Sequence, residues 1–184
     1  MSNVVFDLSK DGLDTGLSDS YVEYLLGAAK NCLVKSDQKP GVVAKVGGDI
    51  TGGIEFHWDG ISEEEKNTYV DQTTATEKGA EGIAFIVVDR FTDYKVFAQS
   101  YIGTGYDFFL IPKNRHATLL TMGEVYIKLE VSGVQKENNQ NKVSTRVDVK
   151  VKQVNTLKDN KEYYVVVSEF GEPRVEVKHG CSHR

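Results

Sequence analysis

From residue 74 onward, apolar residues recur with two different periods in a fixed order, and this order limits the folds available to the chain. A helix that ends near Thr92 is predicted for "ATEKGAEGIAFIVVDRF", because its apolar residues recur at steps of three and four. Those residues are Ala80, Ile83, Ala84, Val87 and Phe91. Three apolar segments typical of strands follow: "YKVFAQSYI", "YDFFLIP" and "VYIKLEVSGV".

The next segment, "VSTRVDVKVKQVNTL", fits two patterns. Val147, Val149 and Val151 alternate as in a strand, but the segment also carries a helical stripe with Ser144 as a candidate N-cap. The stripe consists of Val143, Val147, Val151, Val154 and Leu157. We predict a helix, followed by a buried strand in "EYYVVVSEF" and a shorter strand in "RVEVKHG". The order helix, three strands, helix, strand predicts an α/β or α+β fold with a central mixed sheet flanked by helices.

The first 73 residues precede this pattern and predict a helix and hairpin extension. "SDSYVEYLLGAAKNCLVKS" has helical periodicity, and "PGVVAKVGGDITGGIEFHWDG" contains two strand-like runs separated by glycines. Ser62 and Glu65 have the spacing of a capping box, which predicts a short helix. The 184 residues suit one domain. We therefore expect a single domain over residues 1–184, with an extension at 1–73, a core at 74–175 and a flexible tail at 176–184.

Composition indicates a globular protein outside the membrane. Apolar residues make up 40% and charged residues 27% of the chain, and the longest apolar run, "GIAFIVV", is too short to cross a bilayer. The N-terminus has no pattern of a secretory signal, so a cytoplasmic location is predicted. For the two cysteines we expect a buried thiol at Cys32 and a tail thiol at Cys181, with one long-range disulfide as the alternative.

A net charge of −5 argues against indiscriminate binding of nucleic acid, which depends on neutralising phosphates. A local basic patch is still available in the stretch that begins near Lys136. A solvated helix face is the simpler interpretation of this stretch. The candidate nucleic-acid contacts are Lys142, Arg146, Lys150, Lys152 and Gln153.

Two carboxylates stand where an acid is locally out of place. Asp107 opens an apolar strand, and Glu130 lies inside "YIKLEVS", where Lys128, Glu130 and Ser132 share one face of the strand. Mg²⁺ prefers one or two carboxylates together with water and phosphate, so Asp107 and Glu130 are the candidate metal ligands. The ammonium of Lys128 would then lie two residues away. A half-exposed strand with a polar outer face is the alternative interpretation.

The stretch "GTGYD…LEVSG", set within the order of elements described above, resembles the core of the PD-(D/E)xK nuclease superfamily, the restriction-endonuclease-like fold. The resemblance covers roughly residues 74 to 175 and implies an αβββαβ core. It implies that Glu77, or Glu81 one turn later, is a helix acid beside one or two Mg²⁺ ions. Asp107 would be the metal-binding aspartate, and Glu130 the first residue of the E-x-K. The same layout is similar to small uncharacterised bacterial proteins, which implies no activity.

Ser132 stands where the superfamily pattern has its lysine, so the E-x-K is incomplete. Two lysines are candidates to replace it: Lys128 from the same strand face, and Lys150 from the next helix, with Gln153 one turn further on. The leading prediction is a Mg²⁺-dependent phosphodiesterase that acts on DNA or RNA. The alternative is an inactive copy of the fold that binds a protein partner, for example in a bacterial defence or mobile-element system.

Overall fold

The computed structural model describes residues 3–116, 126–157 and 159–182. Within these ranges the chain forms eight strands and four helices. In chain order they are β1 (Val4–Asp7), α1 (Asp19–Lys35), β2 (Val42–Gly48), β3 (Gly52–His57), α2 (Glu63–Thr68), α3 (Gln72–Phe91), β4 (Tyr94–Gln99), β5 (Phe108–Pro112), β6 (Ile127–Val134), α4 (Val143–Asn155), β7 (Glu162–Glu169) and β8 (Arg174–Cys181).

All eight strands belong to one mixed sheet with the order β1-β3-β2-β8-β7-β6-β5-β4. Strands β4, β5 and β6 pair antiparallel, whereas β6 and β7 pair parallel and are connected by α4. The extension joins the same sheet because β2 pairs parallel with β8. The prediction of a mixed sheet flanked by helices is therefore confirmed.

Helices cover both faces of the sheet. On one face α4 packs on β7, where its buried residues Val143, Val147 and Val154 join Val165 and Val167 in one apolar cluster. On the other face lies α3, and α1 packs in turn on α3. The side chains that alternate along the strands therefore enter separate apolar clusters, of which the largest lies on the α3 side.

The predicted apolar stripe would bury one face of α3, but the structure buries residues on more than one face of this helix. It lies between the sheet and α1, and the contact with α1 is very close at two glycines. A Cβ atom at Gly79 would lie 3.1 Å from the Ala29 Cα, and one at Gly82 would lie 2.8 Å from the Leu25 carbonyl oxygen. These glycines allow the two helix backbones to approach each other.

Several local predictions hold. The first helix, the β2–β3 hairpin and the short helix α2 all form, and Ser62 and Glu65 make the reciprocal hydrogen bonds of a capping box. The ambiguous segment is helix α4, as predicted. Its N-cap, however, is Lys142 rather than Ser144, because the Glu137 carboxylate accepts a hydrogen bond from the Val143 N–H at 2.9 Å.

The prediction of a flexible tail over residues 176–184 is wrong for the part that the structure describes. Strand β8 continues to Cys181 and pairs antiparallel with β7. Ser182 is fully buried, and its N–H donates to the Lys161 carbonyl at 3.0 Å. The polar tail sequence is held in place because its backbone completes a row of sheet hydrogen bonds. Residues 183–184 lie outside the described ranges.

Strand β1 was not predicted. It is a four-residue strand at one edge of the sheet, and it pairs parallel with β3. The thiols of Cys32 and Cys181 are both free, and that of Cys32 is buried as expected. In the part of the chain that the structure describes, none of the helices has the length and apolar character needed to cross a membrane.

Candidate functional site

The site lies where β5 and β6 stop pairing. Their antiparallel register runs from Leu110 opposite Ile127 to Phe108 opposite Leu129. Beyond Leu129, β6 continues to Val134, and among the described strands it pairs there only with β7. One edge of β6 beyond Leu129 therefore has no strand partner among the described residues.

Asp107 occupies the point at which the pairing ends. Its N–H donates to the Leu129 carbonyl at 2.9 Å, and its Oδ2 accepts from the Val131 N–H at 2.8 Å. The side chain thus satisfies the next backbone donor on the open edge of β6. The strand register, continued by one residue, sets Asp107 opposite Glu130, so the two predicted metal ligands come from neighbouring strands at the same level of the sheet.

Glu130 points to the α4 side of the sheet, and only 1% of the residue is exposed. The expectation that Lys128, Glu130 and Ser132 form a half-exposed polar face is wrong, because β6 is buried on both faces. Its Oε1 forms an ion pair with the Lys150 ammonium and accepts a hydrogen bond from Gln153 Nε2 at 3.1 Å. Its Oε2 has no hydrogen-bond partner among the described residues. A buried carboxylate oxygen without a partner is unusual, because leaving it unsatisfied costs free energy.

The surroundings of Glu130 favour its protonated form. Burial and the nearby Asp107 carboxylate raise the pKa of Glu130 to about 7, although Lys150 and Gln153 act in the opposite direction. Neutral pH is therefore close to the midpoint of the titration of the Glu130 carboxyl. A carboxyl that titrates in this range is a common feature of functional sites.

A third acid approaches from α3. Burial raises the pKa of Glu81 most, and the Asp107 carboxylate raises it further, so the two acids lie within electrostatic reach. The Tyr21 hydroxyl and the Lys78 ammonium donate to Glu81 at 3.2 and 2.7 Å. Of the two predicted helix acids, Glu81 faces the site, whereas Glu77 is exposed on the wall of a neighbouring pocket near Ser132 and Arg146.

An open cleft of about 480 Å³ leads to Asp107. Helix α3 contributes Lys78 and Glu81 to its wall, α4 contributes Gln153, and the loop before β5 forms the rim. Gln153 also donates to the Gly105 carbonyl at 3.1 Å, which ties this loop to α4. The cleft is polar, and Glu81 and Asp107 line it, whereas Glu130 is not among the residues that line it.

Lys128, the other candidate for the missing motif lysine, has its ammonium engaged elsewhere. It is completely buried, and it contacts Asp159 Oδ1 at 2.7 Å and Ser182 Oγ at 2.9 Å. The lysine that contacts Glu130 is Lys150. Neither Asp159 nor Ser182 carried a sequence signal, because their proximity to Lys128 depends on β8 joining the sheet.

The predicted nucleic-acid contacts divide into two groups on α4. Lys142, Arg146, Lys150 and Gln153 are spaced by four, four and three residues, so they follow one face of the helix toward the cleft. Arg146 is exposed, and its Nε donates to Asn141 Oδ1 at 2.9 Å. Lys152 is exposed and lies away from this stripe.

Two residues of the cleft region were missed at the sequence level. The Tyr21 hydroxyl, from α1, contacts Glu81 and also accepts from Gln99 Nε2 at 2.8 Å. Both residues lie at ordinary helix and strand positions, so only the packing of α1 on α3 shows their role.

Within the described ranges, no group of three or more His, Cys, Asp or Glu side chains is arranged to hold a metal ion. Comparison of the chain with protein-family models, curated proteins and solved structures finds no match.

Proposed function

We propose that the protein is a nuclease-like Mg²⁺-dependent phosphodiesterase with a restriction-endonuclease-like core. The order α3, β4, β5, β6, α4 and β7 corresponds to the αβββαβ arrangement expected from the resemblance. The acids implied by that resemblance belong to the corresponding elements: Glu81 on the helix, Asp107 before the second strand and Glu130 on the third.

The observation that carries the proposal is the buried Glu130 carboxylate beside Asp107. A second carboxylate nearby raises the cost of ionising Glu130, and its Oε2 has no partner within the described part of the chain. A divalent cation between the two side chains would remove both unfavourable features, since it supplies positive charge and accepts the free oxygen as a ligand. The residues present therefore fit a metal held by Asp107 and Glu130 together with water.

Bound Mg²⁺ would supply charge neutralisation at a phosphate and lower the pKa of a coordinated water. The chain itself would contribute orientation and charge. Lys150 would supply the ammonium that Ser132 cannot supply. Gln153 would fix the position of Glu130 relative to the rim of the cleft, because it donates hydrogen bonds to Glu130 and to the Gly105 carbonyl. Glu81 would contribute negative charge from α3, on the far side of Asp107.

DNA or RNA is the proposed substrate class because of the stripe on α4. Arg146 and Lys150 follow the same helix face as Gln153, which lines the cleft. Contacts of this kind bind the phosphate backbone without reading its sequence. The net charge of −5 limits such binding to this local patch.

Metal binding is the first test of the proposal. Mn²⁺ titrated calorimetrically into the full chain should bind, and Asp107→Asn should lower its affinity by at least about tenfold by removing a charged ligand. Asp148→Asn is the matched control, because Asp148 is an exposed acid on α4. The Asp107 variant should also lose any nicking of supercoiled plasmid or cleavage of RNA in Mg²⁺.

An inactive nuclease-like fold that binds a protein partner is the second candidate. The ion pair between Lys150 and Glu130 favours it, because this pair neutralises the carboxylate without a metal. Absence of Mn²⁺ binding in the wild-type chain, together with absence of cleavage of DNA and RNA, would reject the catalytic proposal and leave this one.

A further inference from the structure

The edge of β6 that faces β5 carries backbone groups beyond the point where the two strands stop pairing. On this edge the Val131 N–H donates to Asp107 Oδ2 at 2.8 Å. Because alternate residues of a strand direct their backbone groups to the same edge, the Gly133 N–H and carbonyl lie on it as well. The Val134 carbonyl faces the opposite edge and accepts from the Phe170 N–H at 3.1 Å, as this alternation requires.

Three backbone groups on this edge have no hydrogen-bond partner in the part of the chain that the structure describes. They are the Val131 carbonyl, the Gly133 N–H and the Gly133 carbonyl. Val131 is buried and Gly133 is half-buried. Backbone groups at this depth are nearly always hydrogen-bonded, because leaving one unsatisfied costs free energy. An extended backbone is the ligand that can satisfy a donor and its neighbouring acceptors together.

A polar cavity of about 240 Å³ lies at the Gly133 end of this edge. Strand β6 contributes Ser132 and Gly133 to its lining. Helix α3, on one face of the sheet, contributes Glu77, and helix α4, on the other face, contributes Arg146. A chain bound along the edge of β6 would therefore enter this cavity with one helix on each side of it.

Glu77 and Arg146 give the two walls of this cavity opposite charges. Both residues are exposed, and neither forms an ion pair with a described residue. The Arg146 Nε donates to the uncharged Asn141 side chain, which leaves the guanidinium charge without an anion. In an extended segment, successive side chains point to opposite faces, so one residue would face Glu77 and its neighbour would face Arg146. The walls therefore favour a basic residue next to an acidic one.

We propose that this edge of β6 binds an extended peptide segment of a protein partner as an added strand. A basic side chain of the peptide faces Glu77, and a neighbouring acidic side chain faces Arg146. Backbone hydrogen bonds to Val131 and Gly133 supply the affinity, and the two charges select the sequence. The inference goes beyond the proposed function and does not rest on it, because it requires neither a metal nor a nucleic acid.

A short peptide with this pattern tests the inference on the full chain. The probe is Thr-Val-Lys-Glu-Val-Thr with acetylated and amidated ends, titrated in EDTA into isotope-labelled protein. The amide signal of Gly133 should shift, and hydrogen exchange at its N–H should slow by at least about tenfold at saturation. Two versions of the probe, methylated on alternate backbone nitrogens, should differ in affinity by at least about tenfold, because only one edge of the bound strand faces β6.

A charge change on one wall tests how the sequence of the peptide is selected. Arg146→Glu should lower the affinity for the probe by at least about threefold, because attraction is replaced by repulsion. A probe with lysine in place of its glutamate should recover this loss on the variant and should bind wild type more weakly. Lys152→Glu makes the same charge change at an exposed residue of α4 outside the cavity and should leave the affinity for the probe unchanged.

Several results would overturn the inference. These are absence of binding at millimolar probe, equal affinity of the two methylated probes, unchanged exchange at the Gly133 N–H, and failure of the lysine-substituted probe to recover binding to the Arg146 variant. Protection of the Gly133 N–H by a single nucleic-acid strand instead of the peptide would also overturn it. Mn²⁺ binding at Asp107 is measured separately, so either proposal can fail while the other stands.

Discussion

Glu130 illustrates how one buried side chain is controlled by opposing neighbours. Burial and the Asp107 carboxylate favour its neutral form, whereas Lys150 and Gln153 favour its ionised form. The first pair has the larger effect, so the pKa of the Glu130 carboxyl is about 7 instead of the ordinary 4.5. The metal-free protein is therefore expected to be less stable once this carboxyl ionises.

The direction in which pH changes the free energy of unfolding follows from the protons that Glu130 binds in the folded and in the unfolded chain. Between pH 4.5 and about 7 the folded chain keeps a proton on Glu130 that the unfolded chain has already released. The stability contributed by this group is fully present below pH 4.5 and is lost as the pH rises to about 7. Without metal, Glu130→Gln should therefore be more stable than wild type by about 1–3 kcal/mol near pH 8.

Urea unfolding in EDTA at several pH values measures this difference, which should shrink toward pH 4.5. Glu137→Gln is the control, because hydrogen bonding from the Val143 N–H lowers the pKa of Glu137. This substitution should therefore lower the free energy of unfolding at neutral pH, where Glu130→Gln should raise it. A Glu130→Gln variant that is less stable than wild type at every pH would mean that the ion pair with Lys150 outweighs burial.

At the scale of elements, an ion pair between the buried Lys128 and the partly exposed Asp159 links β6 to the segment before β7. Lys128 lies on the strand that carries Glu130, and its ammonium meets Asp159 before β7 and Ser182 after β8. The Ser182 hydroxyl also donates to Asp159 at 2.6 Å. The three polar groups therefore hydrogen-bond to one another, with Lys128 and Ser182 buried and Asp159 partly exposed.

Removing one partner should cost more than removing both charges. Asp159→Ala leaves the buried ammonium without its anion and should lower the free energy of unfolding by about 2–4 kcal/mol, somewhat less than for a fully buried partner because Asp159 is partly exposed. Adding Lys128→Met should recover part of that loss. Denaturant unfolding of both variants measures the effect. The Lys128→Met variant alone should still bind Mn²⁺. Loss of Mn²⁺ binding in this variant would mean that Lys128 contributes to the candidate site.

Much of this arrangement could be predicted from the sequence, and the reasons for the failures are physical. Period and spacing sufficed for the order of elements from α3 to β7. The role of Asp107 and Glu130 as metal ligands stays a prediction, although the antiparallel pairing of β5 and β6 sets them opposite each other. The choice between Lys128 and Lys150 could not be made, since it depends on Asp159 and Ser182 meeting Lys128 across the sheet. The regular structure of residues 176–181 could not be predicted either, because it depends on the pairing of β8 with β7.

The N-terminal extension and the proposed core share one sheet and one apolar interior. Strand β2 covers the edge of β8, and α1 covers the side of α3 that faces away from the sheet. The fold of the candidate site therefore depends on residues far from it in sequence. Tyr21, on α1, contacts the site acid Glu81 directly.

A fragment of residues 70–184 should accordingly fail to fold alone. Without the extension, the edge of β8 and the α1-facing side of α3 would be exposed, which favours aggregation. We expect the fragment to be insoluble or to unfold without cooperativity, as measured by circular dichroism during heating. Adding residues 1–69 as a separate chain should restore soluble structure. A fragment that melts cooperatively by itself would show that the extension is dispensable.

The early end of the β5–β6 pairing also has a consequence for how this chain can vary. A longer β5, running past Asp107 to pair with Ser132, would gain several backbone hydrogen bonds and make a more regular sheet. The same change would fill the end of the cleft that gives solvent access to Asp107. Sequence changes that strengthen strand character in "GTGYD" should therefore raise the stability of the fold and at the same time prevent a ligand from entering the cleft at Asp107.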